Sequence, residues 1–140
     1  MPRIVQLQLW RIIDANLNRA KEGLRVCEDI CRFFYNHKTL TSEYKNIRHQ
    51  LTKIVLKLSY KELLSARDIV GDVGKKSQPV EFQRKDVADI YYANSQRVKE
   101  SIRVLEEFLK LIDKNIAQEL KQLRYRVYAL EKKIVKVGTV

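Results

Sequence analysis

The chain has 140 residues, 45% of them apolar and 32% charged, with only four glycines and two prolines. That length suits one domain with a real core, and so few turn residues argue against an all-β fold. No apolar run approaches the ~18 residues of a membrane span, and Met1 to Trp10 lacks the apolar stretch of a secretory signal. The formal charge of +11 points to anionic partners without choosing among nucleic acid, phosphorylated metabolites and plain solubility. From Ile13, apolar residues recur in alternating steps of four and three: Ile13, Leu17, Ala20, Leu24, Cys27, Cys31 and Phe34. This predicts a helix with one buried seam. Cys27 and Cys31 read as reduced core residues, because zinc would need more ligands than they and His37 or His49 supply. These features together suggest the cytoplasm.

Asn36 to Thr41 reads as a turn, with Thr39 or Thr41 as the N-cap of a second helix whose seam is Tyr44, Ile47, Leu51, Ile54 and Leu58. Ser59 and Glu62 have capping-box spacing ahead of Leu63 and Leu64. Ser65 to Pro79 holds two of the four glycines and one of the two prolines, and is the one substantial loop. Helical spacing resumes at Val87, Tyr91, Ser95, Val98, Ile102, Leu105, Leu109 and Ile112. Asn115 and Gln118 form another capping-box pair, ahead of Ile116, Leu120, Leu123, Val127, Leu130, Ile134 and Val137.

The strongest signal is an internal repeat. ANLNRAKEGLRVCE (15–28) and ANSQRVKESIRVLE (93–106) share eight of fourteen positions at an offset of 78, and KNIRHQL (45–51) aligns with KQLRYRV (121–127) at an offset of 76. Two helices per repeat joined by a short turn make antiparallel neighbours. The expected architecture is an all-α, up-down four-helix bundle built from two tandem helical hairpins, with one central loop. It is a single domain: repeat 1 spans about 8–58, a short helix and loop about 59–83, and repeat 2 about 84–137.

The polar residues shared by both copies fall at every third position: Asn16, Arg19, Glu22, Arg25 and Glu28, then Asn94, Arg97, Glu100, Arg103 and Glu106. A step of three slips by about 60° on a 3.6-residue helix, so the stripe winds around the outer face. Asn16 and Glu28 lie nearest the seam, and Glu22 points away from it. One reading is a solvated face of Arg–Glu pairs, each contributing a few tenths of a kcal/mol. The other is function, since a merely solvated face drifts in identity between copies. Asn inside a helix costs propensity, so Asn16 and Asn94 are expected to bond across the two-fold axis or to a ligand. The loop clusters Arg67, Asp68 and Asp72 beside Gly71 and Gly74, with Lys75 and Lys76 following. Glycines let backbone N–H groups approach an oxyanion, and one or two carboxylates are what Mg²⁺ takes when substrate phosphates complete its shell. The bland alternative is a crossover whose Arg67–Asp68 pair is only structural. Phosphate-loop, dinucleotide-fold, protein-kinase and di-iron motifs are absent.

The segments RIIDANLNRAKEGLRVCEDICRFF, LLSARDIVGDVG, EFQR, ANSQRVKESIRVLEEFLK and LRYRVYALE, in that order and from about Arg11 to Glu131, resemble a known helical domain. It is the alternative hydroxymethylpyrimidine-phosphate kinase fused in front of some thiamine-phosphate synthases. The resemblance implies ATP-dependent phosphorylation of 4-amino-2-methyl-5-phosphomethylpyrimidine to its diphosphate, with Mg²⁺ as cofactor and ATP as co-substrate, in thiamine biosynthesis. It also implies a thiamine-phosphate synthase partner. The barrel of that synthase would need roughly another full domain. Either the kinase stands alone or the chain is a fragment of a fusion.

Carried onto this sequence, the resemblance assigns phosphate binding to Arg19, Arg25, Arg67, Arg84, Arg97 and Arg103, with Gly71 and Gly74 beside them. Asp68 and Asp72 are the expected Mg²⁺ ligands, and with Arg67 the expected catalytic group. Asn16, Asn94, Glu22 and Glu100 are expected to orient substrate. Three other classes compete. A non-catalytic module docking on thiamine-phosphate synthase would show an exposed apolar face and no ATP turnover. A nucleic-acid binder would mass Lys and Arg on one face with aromatic platforms, whereas here Arg alternates with Glu. A chorismate-mutase-like bundle would not carry this repeat or loop. No membrane partner is expected, and a homodimer is left open.

Overall fold

A computed structural model describes residues 1–137, and among them there are helices and turns but no strand. Five α-helices follow one another: α1 (Arg3–Asp29), α2 (Lys38–Val55), the short α3 (Tyr60–Ala66), α4 (Val87–Leu109) and α5 (Lys114–Lys136). The four long ones form the bundle expected from the periodicity. Its core is the seams: Ile13, Leu24, Leu51, Ile102, Leu105, Leu120 and Val127 are all fully buried. Burying a side chain of this kind stabilises the fold by roughly 1.5–3 kcal/mol.

Around the bundle the order is α1, α2, α5, α4, and α4 closes back onto α1. Every adjacent pair runs antiparallel. Lys57 meets Glu119 while Lys133 meets Glu43 across α2 and α5. Lys99 meets Glu131 while Arg124 meets Glu106 across α4 and α5. Helices α2 and α4 therefore sit on a diagonal and run in the same direction. The segment between them must travel from one end of the bundle to the other. That is why it is long, and α3 starts it on its way by packing on α1.

Local rules explain most of the ends. Ser59 Oγ accepts from Glu62 N–H, as its spacing predicts. The other two caps differ from expectation. The cap of α2 is His37, whose Nδ1 accepts from Leu40 N–H, while the Thr41 hydroxyl donates to the His37 carbonyl. The cap of α5 is Asp113, whose carboxylate accepts from Asn115 and Ile116 N–H, displacing the expected Asn115–Gln118 box. Phe34 and Ile112, expected on the seams, are exposed. A wider π-type turn over Ile30–Phe34 rotates Phe34 off the seam, and α4 has ended before Ile112. Asn36 then takes a positive φ of 51°, a conformation Asn tolerates well.

The two hairpins are tied at the centre by Tyr44 and Tyr91, whose hydroxyls lie 2.5 Å apart and whose rings meet edge to face. Burial pushes both phenols well above their ordinary pKa, so the pair stays neutral. Helices α1 and α4 approach closely at Gly23, where a Cβ would meet Val98 Cγ2 at 2.7 Å and the Asn94 carbonyl oxygen at 3.0 Å. Alanine there gains about 1 kcal/mol of helix propensity but overpacks by about 1–3 kcal/mol against a backbone that cannot swing aside. Gly23→Ala should therefore lower the urea midpoint. A rise would show that the two helices separate freely.

Candidate functional site

Along α1 the residues Gln8, Arg11, Ile12, Ala15, Asn18, Arg19 and Glu22 face outward, and the crossing segment folds down onto this face. Together they enclose a cleft of about 850 Å³, walled by Arg67, Asp68, Ile69, Gly71, Asp72 and Val73 and touched by Val104 of α4. A volume of that size suits a small-molecule ligand.

Two contacts hold the loop in place. Arg67 forks onto Asp14, Nε to Oδ2 and Nη2 to Oδ1, each at 2.7 Å. Arg11 Nη2 donates to the Asp68 carbonyl at 3.0 Å. Asp14 is 6% exposed, so its charge is matched chiefly by this guanidinium, and the paired carboxylate raises the Arg67 pKa further. Asn18 Nδ2 steadies Asp14 by donating to its carbonyl at 3.0 Å. Within the loop, Asp68 Oδ1 accepts from Gly71 N–H at 2.8 Å, and Asp72 Oδ1 accepts from Gly74 N–H at 2.9 Å. A Cβ on Gly71 would meet the Asp68 carboxylate, an exposed side-chain end that would have to shift to admit it.

The structure brings Asn16, Arg19, Glu22, Arg67, Asp68, Gly71 and Asp72 together around one cleft. Gly74 stands next to it, bonded to Asp72. The remaining sequence candidates lie elsewhere. Arg25 sits 3.6 Å from Glu28. Arg84 folds onto the carbonyls of Glu81 and Gln83. Glu100 accepts from Gln96, and Arg103 pairs with Glu107 at 3.1 Å. Asn94 and Arg97 are on α4, outside the cleft lining.

The repeated stripe therefore divides by role. Its last glutamates pin each hairpin: Glu28 takes Arg48 Nε at 2.9 Å, and Glu106 takes Arg124 Nε at 2.5 Å. Arg48 and Arg124 are themselves repeat partners at the offset of 76. The asparagines do not bond across the two-fold axis. Asn16 Nδ2 donates to the Ile12 carbonyl and Asn94 Nδ2 to the Ile90 carbonyl, both one turn back in their own helix. This leaves the Asn16 side-chain oxygen facing Arg19, whose Nη1 lies 3.4 Å away.

Asp14, Arg11 and Asn18 belong to the site although sequence reasoning passed over them. Their signal was that they break the repeat: the counterparts are Tyr92, Asp89 and Gln96. Only repeat 1 receives the loop, so only repeat 1 needs residues that hold it.

The donor set fits Mg²⁺. Asp68 and Asp72 are hard oxygen ligands, and each uses one carboxylate oxygen for the loop backbone and leaves the other without a hydrogen-bond partner among the described residues. No group of three or more His, Cys, Asp or Glu residues gathers among the described residues. The site thus lacks a full protein cage, and substrate phosphates and water would complete the ion's shell. Glu22, Asp68 and Asp72 face Arg11 and Arg19, so a polyphosphate would enter most favourably with its charge partly cancelled.

No described helix is long and apolar enough to cross a membrane. No solved structure matches the chain. Relatives of known name are similar over nearly its whole length. It is 45% identical over 132 residues to the thiamine-phosphate synthase of Nostoc punctiforme, covering 94% of this chain and 36% of that protein. It is 47% identical over 122 residues to the thiamine-phosphate synthase of a Synechocystis species, 86% of this chain and 34% of the other. The same name and a similar share recur in Rhodopirellula baltica, at 38% identity over 120 residues, 85% of this chain and 32% of that protein. The chain thus spans about a third of the length of the relatives it matches. Residues 11–133 match the ThiD2 family, and the chain belongs to that family.

Proposed function

We propose that this chain phosphorylates 4-amino-2-methyl-5-phosphomethylpyrimidine to the diphosphate, using Mg-ATP. The observation that carries the reading is the docking of the 67–74 loop on α1, which brings Asp68 and Asp72 beside Asp14 and Glu22 of the helix and sets three arginines around the same cleft. Asp68 and Asp72 would hold Mg²⁺, which would supply charge neutralisation for the nucleotide phosphates. Arg19, and the Arg67 edge not engaged by Asp14, face charge on the transferring group. Asn16 and Glu22 offer the ring an acceptor and a carboxylate, above an apolar floor of Ile12, Ala15 and Val104.

The reaction asks little else of the protein. A phosphate oxygen of the substrate forms a bond to the γ-phosphorus of ATP, the bond to the bridging oxygen breaks, and ADP leaves. A phosphate monoester has its second pKa near ~6, so the attacking oxygen is already ionised at neutral pH. No general base is required, which fits a cleft without His or Cys. Positioning and charge do the rest.

With ATP and the pyrimidine phosphate in a coupled ADP assay, Arg19→Ala should raise a KM at least about fivefold, whereas Arg97→Ala should stay within about twofold. Equal effects would mean that the repeats act alike, against the cleft assignment.

A second reading has its own support. The relatives are named thiamine-phosphate synthases and are about two and a half times as long, and the loop exposes Ile69, Val70, Val73, Val80 and Phe82. A non-catalytic helical domain working with such a synthase would have those names and that apolar rim. Absence of ATP turnover separates it from the kinase. A nucleic-acid interface has less support, because Arg48, Arg67 and Arg124 are engaged by internal carboxylates and the repeated arginines alternate with Glu.

A further inference from the structure

Each hairpin has a cleft at its turn, and the two are repeat partners. The first, of about 430 Å³, is lined by Glu28, Arg32, Lys38, Thr41, Ser42 and Lys45, with Asn36 and His37 at the turn. The second, of about 360 Å³, is lined by Arg103, Glu106, Lys110, Lys114, Gln118 and Lys121 among others. At the offsets of 78 and 76, Arg32 aligns with Lys110, Lys38 with Lys114, and Lys45 with Lys121. Three cations are kept in both copies, while Thr41 and Ser42 have drifted to Ala117 and Gln118.

The electrostatics of the two clefts differ. In the second, Glu107 takes both Lys110, at 2.9 Å, and Arg103, at 3.1 Å, and the helix cap is the carboxylate of Asp113. In the first, the counterpart of Glu107 is Asp29, which makes no ion pair among the described residues; neither of these two acids lines its cleft. The cap is the uncharged acceptor nitrogen of His37. The one carboxylate in the wall, Glu28, is 2% exposed and already shared between Arg48 and Arg25. Arg32, Lys38 and Lys45 therefore line the cleft with no ion pair among the described residues, Arg32 lying over the Phe33 ring at 4.7 Å, beside two hydroxyl side chains.

We propose that the cleft of Arg32, Lys38 and Lys45 binds a phosphoryl-bearing small anion, at a site separate from the loop cleft, and that its repeat partner has lost this ability by internal neutralisation. Three donors of one sign around a small concavity suit a di- or polyanion, and the Ser42 hydroxyl adds a neutral donor, the Thr41 proton being already given to the His37 carbonyl. The second hairpin serves as the internal control, having the same scaffold and the three aligned cations, but with Lys110 held by Glu107 and with Asp113 in place of His37 at the cap.

The test is a titration of the full chain with inorganic pyrophosphate, without nucleotide, followed by amide NMR. Saturating shifts are expected at Asn36, His37 and Ser42, distinct from any at Gly71 and Gly74. Arg32→Ala with Lys45→Ala should weaken binding at least about tenfold, and Lys110→Ala with Lys121→Ala less than about twofold. Glu107→Gln should create weak saturable binding at the second cleft. Sulfate at matched ionic strength should compete less well if a phosphoryl group is preferred. Equal losses from both double variants, or unsaturating shifts spread over all lysines, would reduce the cleft to general surface charge and overturn the proposal. The experiment needs no kinase activity, so it stands or falls apart from the function proposed above.

Discussion

Replacing Glu106 with alanine is expected to destabilise the fold by about 3–5 kcal/mol, the cost of leaving a buried charge without its partner. Arg124 is 8% exposed and Glu106 3%, and the guanidinium meets both carboxylate oxygens, at 2.5 and 3.0 Å. Its remaining Nη1 donates to the Tyr128 hydroxyl, and its charge lies over the Tyr125 and Tyr128 rings. The repeat supplies the comparison. Glu28→Ala should cost less, because the Arg48 side chain is 22% exposed and solvent can take up part of its charge. Urea unfolding of both variants checks this. Equal losses, or a loss under about 1 kcal/mol at Glu106, would mean that the pair is hydrated and not a pin.

Asp72→Asn is expected to cut turnover at least about tenfold, or 1.4 kcal/mol of transition-state stabilisation, with little change in Tm. The substitution is chosen because Asn keeps an oxygen that can accept the Gly74 N–H, so the loop turn survives while the charge is lost. Asp72 is exposed, so its removal leaves nothing stranded in the core. A drop in stability with activity intact would make the loop a crossover and nothing more.

The long helices were legible because their seams carry an unbroken 3,4 spacing, and the hairpins because the sequence repeats. Helix ends were less so. His37 and Asp113 act as caps through geometry that competes with nearby Thr and Asn residues of similar propensity. The stripe of Asn, Arg and Glu was visible, but not its division. Glu28 and Glu106 are explained by Arg48 and Arg124, whose own repeat signal lies on a different helix. The loop was recognisable by its glycines and aspartates, whereas its docking partner on α1 was not. A search for what the copies share passes over Asp14, since the feature that matters there is a difference. The length of the crossing segment follows from helix direction, which a one-dimensional pattern does not contain.

The measurement that bears most directly on the account is product identification. The purified chain, incubated with Mg²⁺, ATP and hydroxymethylpyrimidine phosphate, should release ADP and form the pyrimidine diphosphate in equal amounts, and neither should form without the pyrimidine. No product above background from a chain that melts cooperatively would contradict the kinase reading, and would leave the synthase-associated helical domain as the function of this fold.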